Sequence, residues 1–194
     1  MTHKTQAIVL SVGKYSDNAN ILHLYTADNG RGAFMLYGNR YKGVLTPLSI
    51  VEVTTSNHAR GGLASVTSAS LVYTPKHLNV DVKRQCVAMF IAEMLSLTVR
   101  HPMRDEELYE WLCRMVRELD CGEQVENLHL RFLIDYTVFL GIGIDAAEHP
   151  EWFVAPTSRS ERQQHLKEIC AYYEEHIEDF REPKSLDVLM EVFD

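Results

Sequence analysis

Five cations, Lys14, Arg31, Arg40, Lys42 and Arg60, fall in or beside turn-forming clusters near the start of the chain. Five aromatic residues, Tyr15, Tyr25, Phe34, Tyr37 and Tyr41, interleave with them. This combination does non-covalent chemistry: cations neutralise a phosphate backbone while flat rings stack on unpaired bases, each stacked base being worth ~1–3 kcal/mol. On this reading Arg31, Arg40 and Lys42 hold phosphates, Lys14 and Arg60 assist, and Tyr37 or Tyr41 offers the stacking surface. Composition alone leaves a second reading open, in which half of the rings are core and the cations are ordinary surface.

Covalent chemistry finds little to work with. There is no nucleophile elbow, no phosphate-cradling glycine loop, no metalloprotease helix and no dinucleotide fingerprint. Glu106/Glu107 and Glu174/Glu175 belong to solvated helix faces, and His23 sits in an alternating strand pattern as a half-buried side chain. The cysteines Cys86, Cys113, Cys121 and Cys170 lack the close pairing of a zinc or redox site and are expected as buried thiols. No catalytic residue, metal or cofactor is expected.

The elements that must carry the cations follow from a change of period and of charge. Residues 1–80 hold seven Lys/Arg against three Asp/Glu, and residues 81–194 hold twelve against twenty-four, a net +4 followed by −12. The basic part shows five β-rich runs, Thr5 to Val12, Asn20 to Ala27, Gly32 to Gly38, Pro47 to Thr55 and Leu63 to Val72. Asp17-Asn18, Asp28-Asn29-Gly30 and Arg60-Gly61-Gly62 reverse the chain between them. Five short strands without a long helix predict a small antiparallel barrel, with an OB-fold leading and an SH3-like barrel second.

Beyond Tyr73-Thr74-Pro75 the period becomes 3.6. Stripes over Val82 to Leu97 and Leu108 to Leu119 predict two amphipathic helices, the second capped by Asp105 and stopping before Gly122. A third runs from about Val125 to Leu140. A loop near 143–157 precedes a helix opened by a Ser158/Glu161 capping box, and Ser185 is placed to cap a last short helix after Pro183. The fold class is therefore α+β in two domains: an OB-fold barrel over 1–78, then an all-α bundle of about five helices over 79–194. A hydrophobic content of 46% with 24% charged residues is that of a soluble domain, and no run approaches a membrane span. With no signal-peptide pattern, a cytoplasmic location, nucleoid-associated for a DNA binder, and no membrane partner are expected.

Particular residues narrow the reading. Lys4-Thr5-Gln6-Ala7-Ile8-Val9-Leu10, Lys14-Tyr15-Ser16-Asp17, Leu24-Tyr25-Thr26-Ala27-Asp28-Asn29-Gly30 and Tyr37-Gly38-Asn39-Arg40 together resemble the opening of the RecO family of bacterial recombination mediators. Leu45-Thr46-Pro47-Leu48-Ser49-Ile50-Val51-Glu52 is similar to its next segment, and Leu128-His129-Leu130-Arg131-Phe132-Leu133 with Phe139-Leu140-Gly141 to its third helix. Ser158-Arg159-Ser160-Glu161-Arg162 and Lys184-Ser185-Leu186-Asp187-Val188-Leu189 look like its C-terminus in the Bacteroidetes type.

The resemblance implies binding of single- and double-stranded DNA and annealing of complementary strands coated by single-stranded DNA-binding protein (SSB). It also implies assistance, with RecR, in loading RecA. The helical domain would then hold the acidic, apolar tail of SSB, for which Arg100, Arg114, Arg117 and Arg131 are the available cations. Helical spacing equally allows Arg114 to pair with Glu110 and Arg117 with Glu118. A generic OB-fold strand binder and a protein-binding adaptor are the alternative functions. Two departures are visible: the four-cysteine zinc site of many relatives has no counterpart over Gly141 to Phe153, and relatives carry several dozen more residues before Ser158.

Overall fold

A computed structural model describes residues 2–38, 41, 43–56, 62–100, 102 and 104–193. It contains five strands, β1 (Thr2–Lys14), β2 (Ala19–Thr26), β3 (Gly30–Tyr37), β4 (Ile50–Ser56) and β5 (Ser65–Leu71). These close into a barrel of order β1-β2-β3-β5-β4, antiparallel except where Met35 of β3 meets Ser65 of β5 in parallel. The fold class is as expected, with the OB-fold option the one adopted.

Closure depends on β1. Its first half pairs with β4, from Thr2 opposite Ser56 to Ile8 opposite Ile50, and its second half with β2, out to Lys14 opposite Asn20. An irregularity between Val9 and Ser11 bends the strand, as a bulge does where a sheet turns a corner. Alternation then points Ala7, Val9, Leu22, Leu24, Leu36, Val51 and Val53 into one core. At the β2–β3 reversal Gly30 adopts φ 66, and the Thr26 hydroxyl donates to the Gly30 carbonyl at 3.0 Å, so the turn chemistry of Asp28-Asn29-Gly30 is used as read.

The helices are α1 (Val82–Thr98), α2 (Glu106–Cys121), α3 (Leu128–Phe139), α4 (Arg159–His176) and α5 (Leu186–Val192). Two compact units result. The first comprises Met1–Lys76 with Val99–Arg117, the second His77–Thr98 with Glu118–Asp194. Within the second, α1 is buried along most of its length through Val87, Phe90, Ile91, Met94 and Leu95, and packs on α3 and α5. No helix among the described residues is long and apolar enough to cross a membrane.

Local signals act where expected. Asp105 accepts the Leu108 amide at 2.9 Å, and Ser158 and Glu161 form the reciprocal capping box of α4. After α2 a Cβ on residue 122 would lie 2.6 Å from the Glu118 carbonyl oxygen, which suits a glycine there. Other expectations need correction. The third helix starts at Leu128, because Val125–Leu128 closes a turn first. Ser185 takes the N-cap position of α5 as expected, but its side chain makes no capping bond: its hydroxyl donates to Glu93 at 2.6 Å, and Glu93 also accepts the Lys184 and Ser185 amides at 2.9 Å each. Burial pushes the Glu93 carboxyl up, but these bonds outweigh it and hold the group below its usual range.

The 143–157 loop contains a 3-10 turn, Pro150–Phe153, whose Trp152 is buried. The Trp152 indole stacks on His149 at 3.9 Å and donates to Glu168 at 3.0 Å, contacts that leave no periodicity in the sequence. Among the cysteines Cys113 and Cys170 are buried, Cys86 is half-buried, and Cys121, expected inside, is exposed.

Candidate nucleic-acid interface

Residues paired across β2 and β3 share a face, so Ala19, Ile21, His23 and Tyr25 lie on the outside of the barrel with Tyr37, Met35, Ala33 and Arg31. The two ends of this outer face differ. At the first, Lys14 stands opposite Asn20, Tyr37 opposite Ala19, and Tyr15 reaches back so that its amide bonds the Ala19 carbonyl. Tyr15 is 66% exposed and Tyr37 50%, so both rings present free faces. Lys14 pairs with Asp17, at 3.3 Å between highly exposed groups. Such a pair is worth little.

The second end is occupied. Arg31 lies six residues from Tyr37 along β3, about 20 Å at the rise of a strand. Its guanidinium donates to the Val99 carbonyl at 2.8 Å. Tyr25 beside it is 1% exposed, and its phenol is pushed up to about 12 by burial and then by the Asp105 charge. His23 is half-buried as expected and is held below its ordinary value by burial and by Arg31, so it adds no positive charge.

The remaining rings belong to the fold. Phe34 lies over Gly32 and packs on the barrel core, and Tyr41 packs on the same core with its hydroxyl donating to the Thr67 carbonyl at 3.1 Å. Thus Lys14, Tyr15 and Tyr37 lie at the same end of β1–β3, Lys14 on the face of its partner Asn20 and Tyr37 on the outer face, while Arg31 and Tyr41 stand elsewhere. Arg40, Lys42 and Arg60 lie outside the described residues. Tyr15 was visible as an aromatic beside a cation, but its exposure is seen only in the structure.

The four arginines proposed for a protein tail are divided between the units. Arg114 and Arg117, with Arg104, line a groove of about 460 Å³ in the first unit, between α2 and the barrel residues Gln6 and Asp28. Arg114 makes no ion pair or hydrogen bond among the described residues. Arg117 donates to the Cys113 carbonyl at 3.3 Å and lies 5.6 Å from the centre of the Tyr73 ring. Arg104 pairs with Glu106 at 3.0 Å. Arg100, in the same unit, is exposed, and Arg131 in the second unit is paired with Glu118. Among the described residues neither helical pairing allowed by spacing, Arg114 with Glu110 or Arg117 with Glu118, is made.

The strand order and the appended helices define an OB-fold protein with a helical extension. Family models carry this further: the N-terminal model of recombination protein O matches residues 1–75 and its C-terminal model residues 80–151. The chain belongs to the recombination protein O (RecO) family, whose members act in DNA repair and recombination. It is similar to the DNA repair protein RecO of Phocaeicola vulgatus, 29% identical with all of both chains covered, and to that of Flavobacterium psychrophilum, 28% identical with the same coverage. The Porphyromonas gingivalis protein is 26% identical over 98% of each chain. The first of these alignments spans 240 residues for the 194 present here, so several dozen positions of the relative have no counterpart.

Proposed function

We propose that this chain is a DNA-binding recombination mediator that works without covalent chemistry. It binds single- and double-stranded DNA, anneals complementary strands coated by SSB, and with RecR assists the loading of RecA. The observation that supports this best is the open end of the β2–β3 face, where Tyr15 and Tyr37 keep exposed rings and Lys14 ends the adjoining strand β1. The strand 2–3 face and its adjoining loops are where OB-folds take up oligonucleotides. Few cations act there, so strands are held weakly enough for their bases to meet. Arg40, Lys42 and Arg60, cations of the same part of the sequence, add further phosphate contacts on this reading.

The test is annealing of complementary oligonucleotides coated with SSB, with and without the chain. Acceleration is expected. Strand binding without acceleration would indicate a generic strand-binding module, and no salt-dependent binding at all would indicate an adaptor. Charge reversal at Lys14, Arg40 and Lys42 should flatten the salt dependence of single-strand binding by about 0.7 in log–log slope for each phosphate no longer neutralised. Tyr37→Ala should cost ~1–3 kcal/mol if a base stacks there. An unchanged slope in the charge-reversed chain would overturn the assignment.

For the acidic tail of SSB, the groove of Arg114 and Arg117 is the better-supported site, because Arg131 is neutralised by Glu118. Arg114→Glu with Arg117→Glu is expected to weaken binding of an acidic, apolar tail peptide at least tenfold by fluorescence anisotropy, at two charge-assisted contacts of ~1.5–3 kcal/mol each. Arg131→Glu should leave that affinity nearly unchanged, and the reverse ranking would move the site to the second unit.

A further inference from the structure

The second unit carries a groove of about 380 Å³ between the end of α2, α3 and the segment after the 3-10 turn. Its apolar lining includes Leu130 and Ile134 of α3 and Trp152, all buried. Its lip is apolar as well and stays in water: Phe153 is 49% exposed and Val154 65%. Large apolar side chains left in water around a concavity mark an interaction site more often than a resting surface.

The charge lining this groove is net negative. Among the described residues, Glu118, Glu123 and Asp135 face it against a single cation, Arg131, which is already joined to Glu118. Asp135 is half-buried and accepts no hydrogen bond among the described residues. Burial raises its carboxyl above the usual range, the Arg131 charge opposing this and the Glu118 charge reinforcing it. A cation placed here would relieve that carboxylate, whereas an anion would meet two further negative groups.

From this geometry we infer that the groove between α3 and the 153–156 segment is a docking site for a partner protein's peptide segment that presents a lysine or arginine beside a branched aliphatic side chain. The basic head reaches Asp135 and Glu123, while the aliphatic side chain covers Ile134 and Val154. The volume suits two or three such side chains and is small for a folded surface. The arginine groove of the first unit carries Asp28, Glu106 and Glu110 beside its three arginines, so the groove of the second unit is the more acidic of the two. This inference does not depend on the DNA-binding reading.

The experiment is a ¹⁵N–¹H correlation titration of the full chain with two capped tetrapeptides, acetyl-Leu-Lys-Leu-Arg-amide and its charge-swapped form acetyl-Leu-Glu-Leu-Glu-amide, a method that registers millimolar binding. The basic peptide is expected to shift the amides of Arg131, Asp135, Val154 and Ala155, and the acidic peptide to leave them in place. Asp135→Asn should raise the dissociation constant of the basic peptide about three- to fivefold, the scale of one partly exposed ion pair. Val154→Asp, at an exposed position that the fold does not need, should remove the apolar contact while leaving the thermal melt unchanged. No shift at this face, equal shifts from both peptides, or an unaltered constant in Asp135→Asn would overturn the proposal. So would concentration-dependent dimerisation abolished by Val154→Asp, since the occupant would then be a second copy of the chain.

Discussion

Asp120→Ala is expected to destabilise the helical unit by about 3 kcal/mol or more. Asp120 lies in the last turn of α2, is fully buried, and accepts the backbone N–H groups of His77 and Leu78 at 2.8 and 2.7 Å. Removing the carboxylate leaves the Leu78 amide without its acceptor in a buried site and the His77 amide in a partly buried one, and each orphaned buried group costs about 1–3 kcal/mol. The same junction is held from the other side by Arg84, which donates to the Gly122 carbonyl at 2.9 Å and to that of Leu119. With Asp120 gone, Arg84 is left to tie the start of α1 to the end of α2. Asp120→Asn keeps one acceptor oxygen and gives up the charge assistance, so its loss should be nearer 1 kcal/mol. Urea unfolding followed by helical circular dichroism measures both. Equal losses from the two variants would mean that the carboxylate acts through charge alone.

Protonation of His129 is expected to dominate the acid sensitivity of the helical unit. The ring is 1% exposed, stacks on Phe193 with centroids 5.7 Å apart and meets Phe90 edge-on, and its Nδ1 has no hydrogen-bond partner among the described residues. Burial, then the Arg162 charge, pulls its pKa down to about 3. The folded chain therefore keeps the ring neutral, whereas the unfolded chain takes up a proton below about pH 6.5. Between those two values the unfolded state binds more protons, so stability falls as pH falls. The stability given up should be about 2 kcal/mol at pH 5 and roughly 4–5 kcal/mol near pH 3. His129→Phe keeps the ring stack, removes the orphaned nitrogen and should take this component away. Unfolding free energies of both chains at pH 7 and pH 5 test it, and parallel losses in the two would show that other groups carry the acid sensitivity. Glu93 adds a smaller component of the usual carboxylate sign: its lowered pKa stabilises the fold above the unfolded value, and that part disappears as pH falls through the folded value.

Much of the fold was legible because its causes are local. Alternation along Leu22 and Leu24 marked an inward face, Asp28-Asn29-Gly30 marked a reversal, and Ser158 three residues before Glu161 marked a helix start. Each depends on groups within a few residues of one another. The candidate site was legible only as a composition. Tyr15, Tyr25, Phe34, Tyr37 and Tyr41 read alike as aromatic residues beside cations, yet Tyr25, Phe34 and Tyr41 belong to packed surfaces and only Tyr15 and Tyr37 keep exposed rings. Nothing near Arg31 announced that its guanidinium would be used by the carbonyl of Val99, 68 residues later.

By itself the sequence determined a barrel followed by helices, the sign of charge on each part, and the family to which their order belongs, since period, turn chemistry and charge are carried by neighbouring residues. The tertiary structure alone decided which cations remain available. Arg31 was taken by the Val99 carbonyl and Arg131 by Glu118, while Lys14 and Arg114 were left facing water. It also decided that residues 99–117 group with the barrel, that Glu93 holds the start of α5 from 92 residues away, and that Trp152 orders a segment with no period. These are pairings between distant groups. They exist only once the hydrophobic faces have packed, and a side chain's chemistry is set by the partner that packing brings to it.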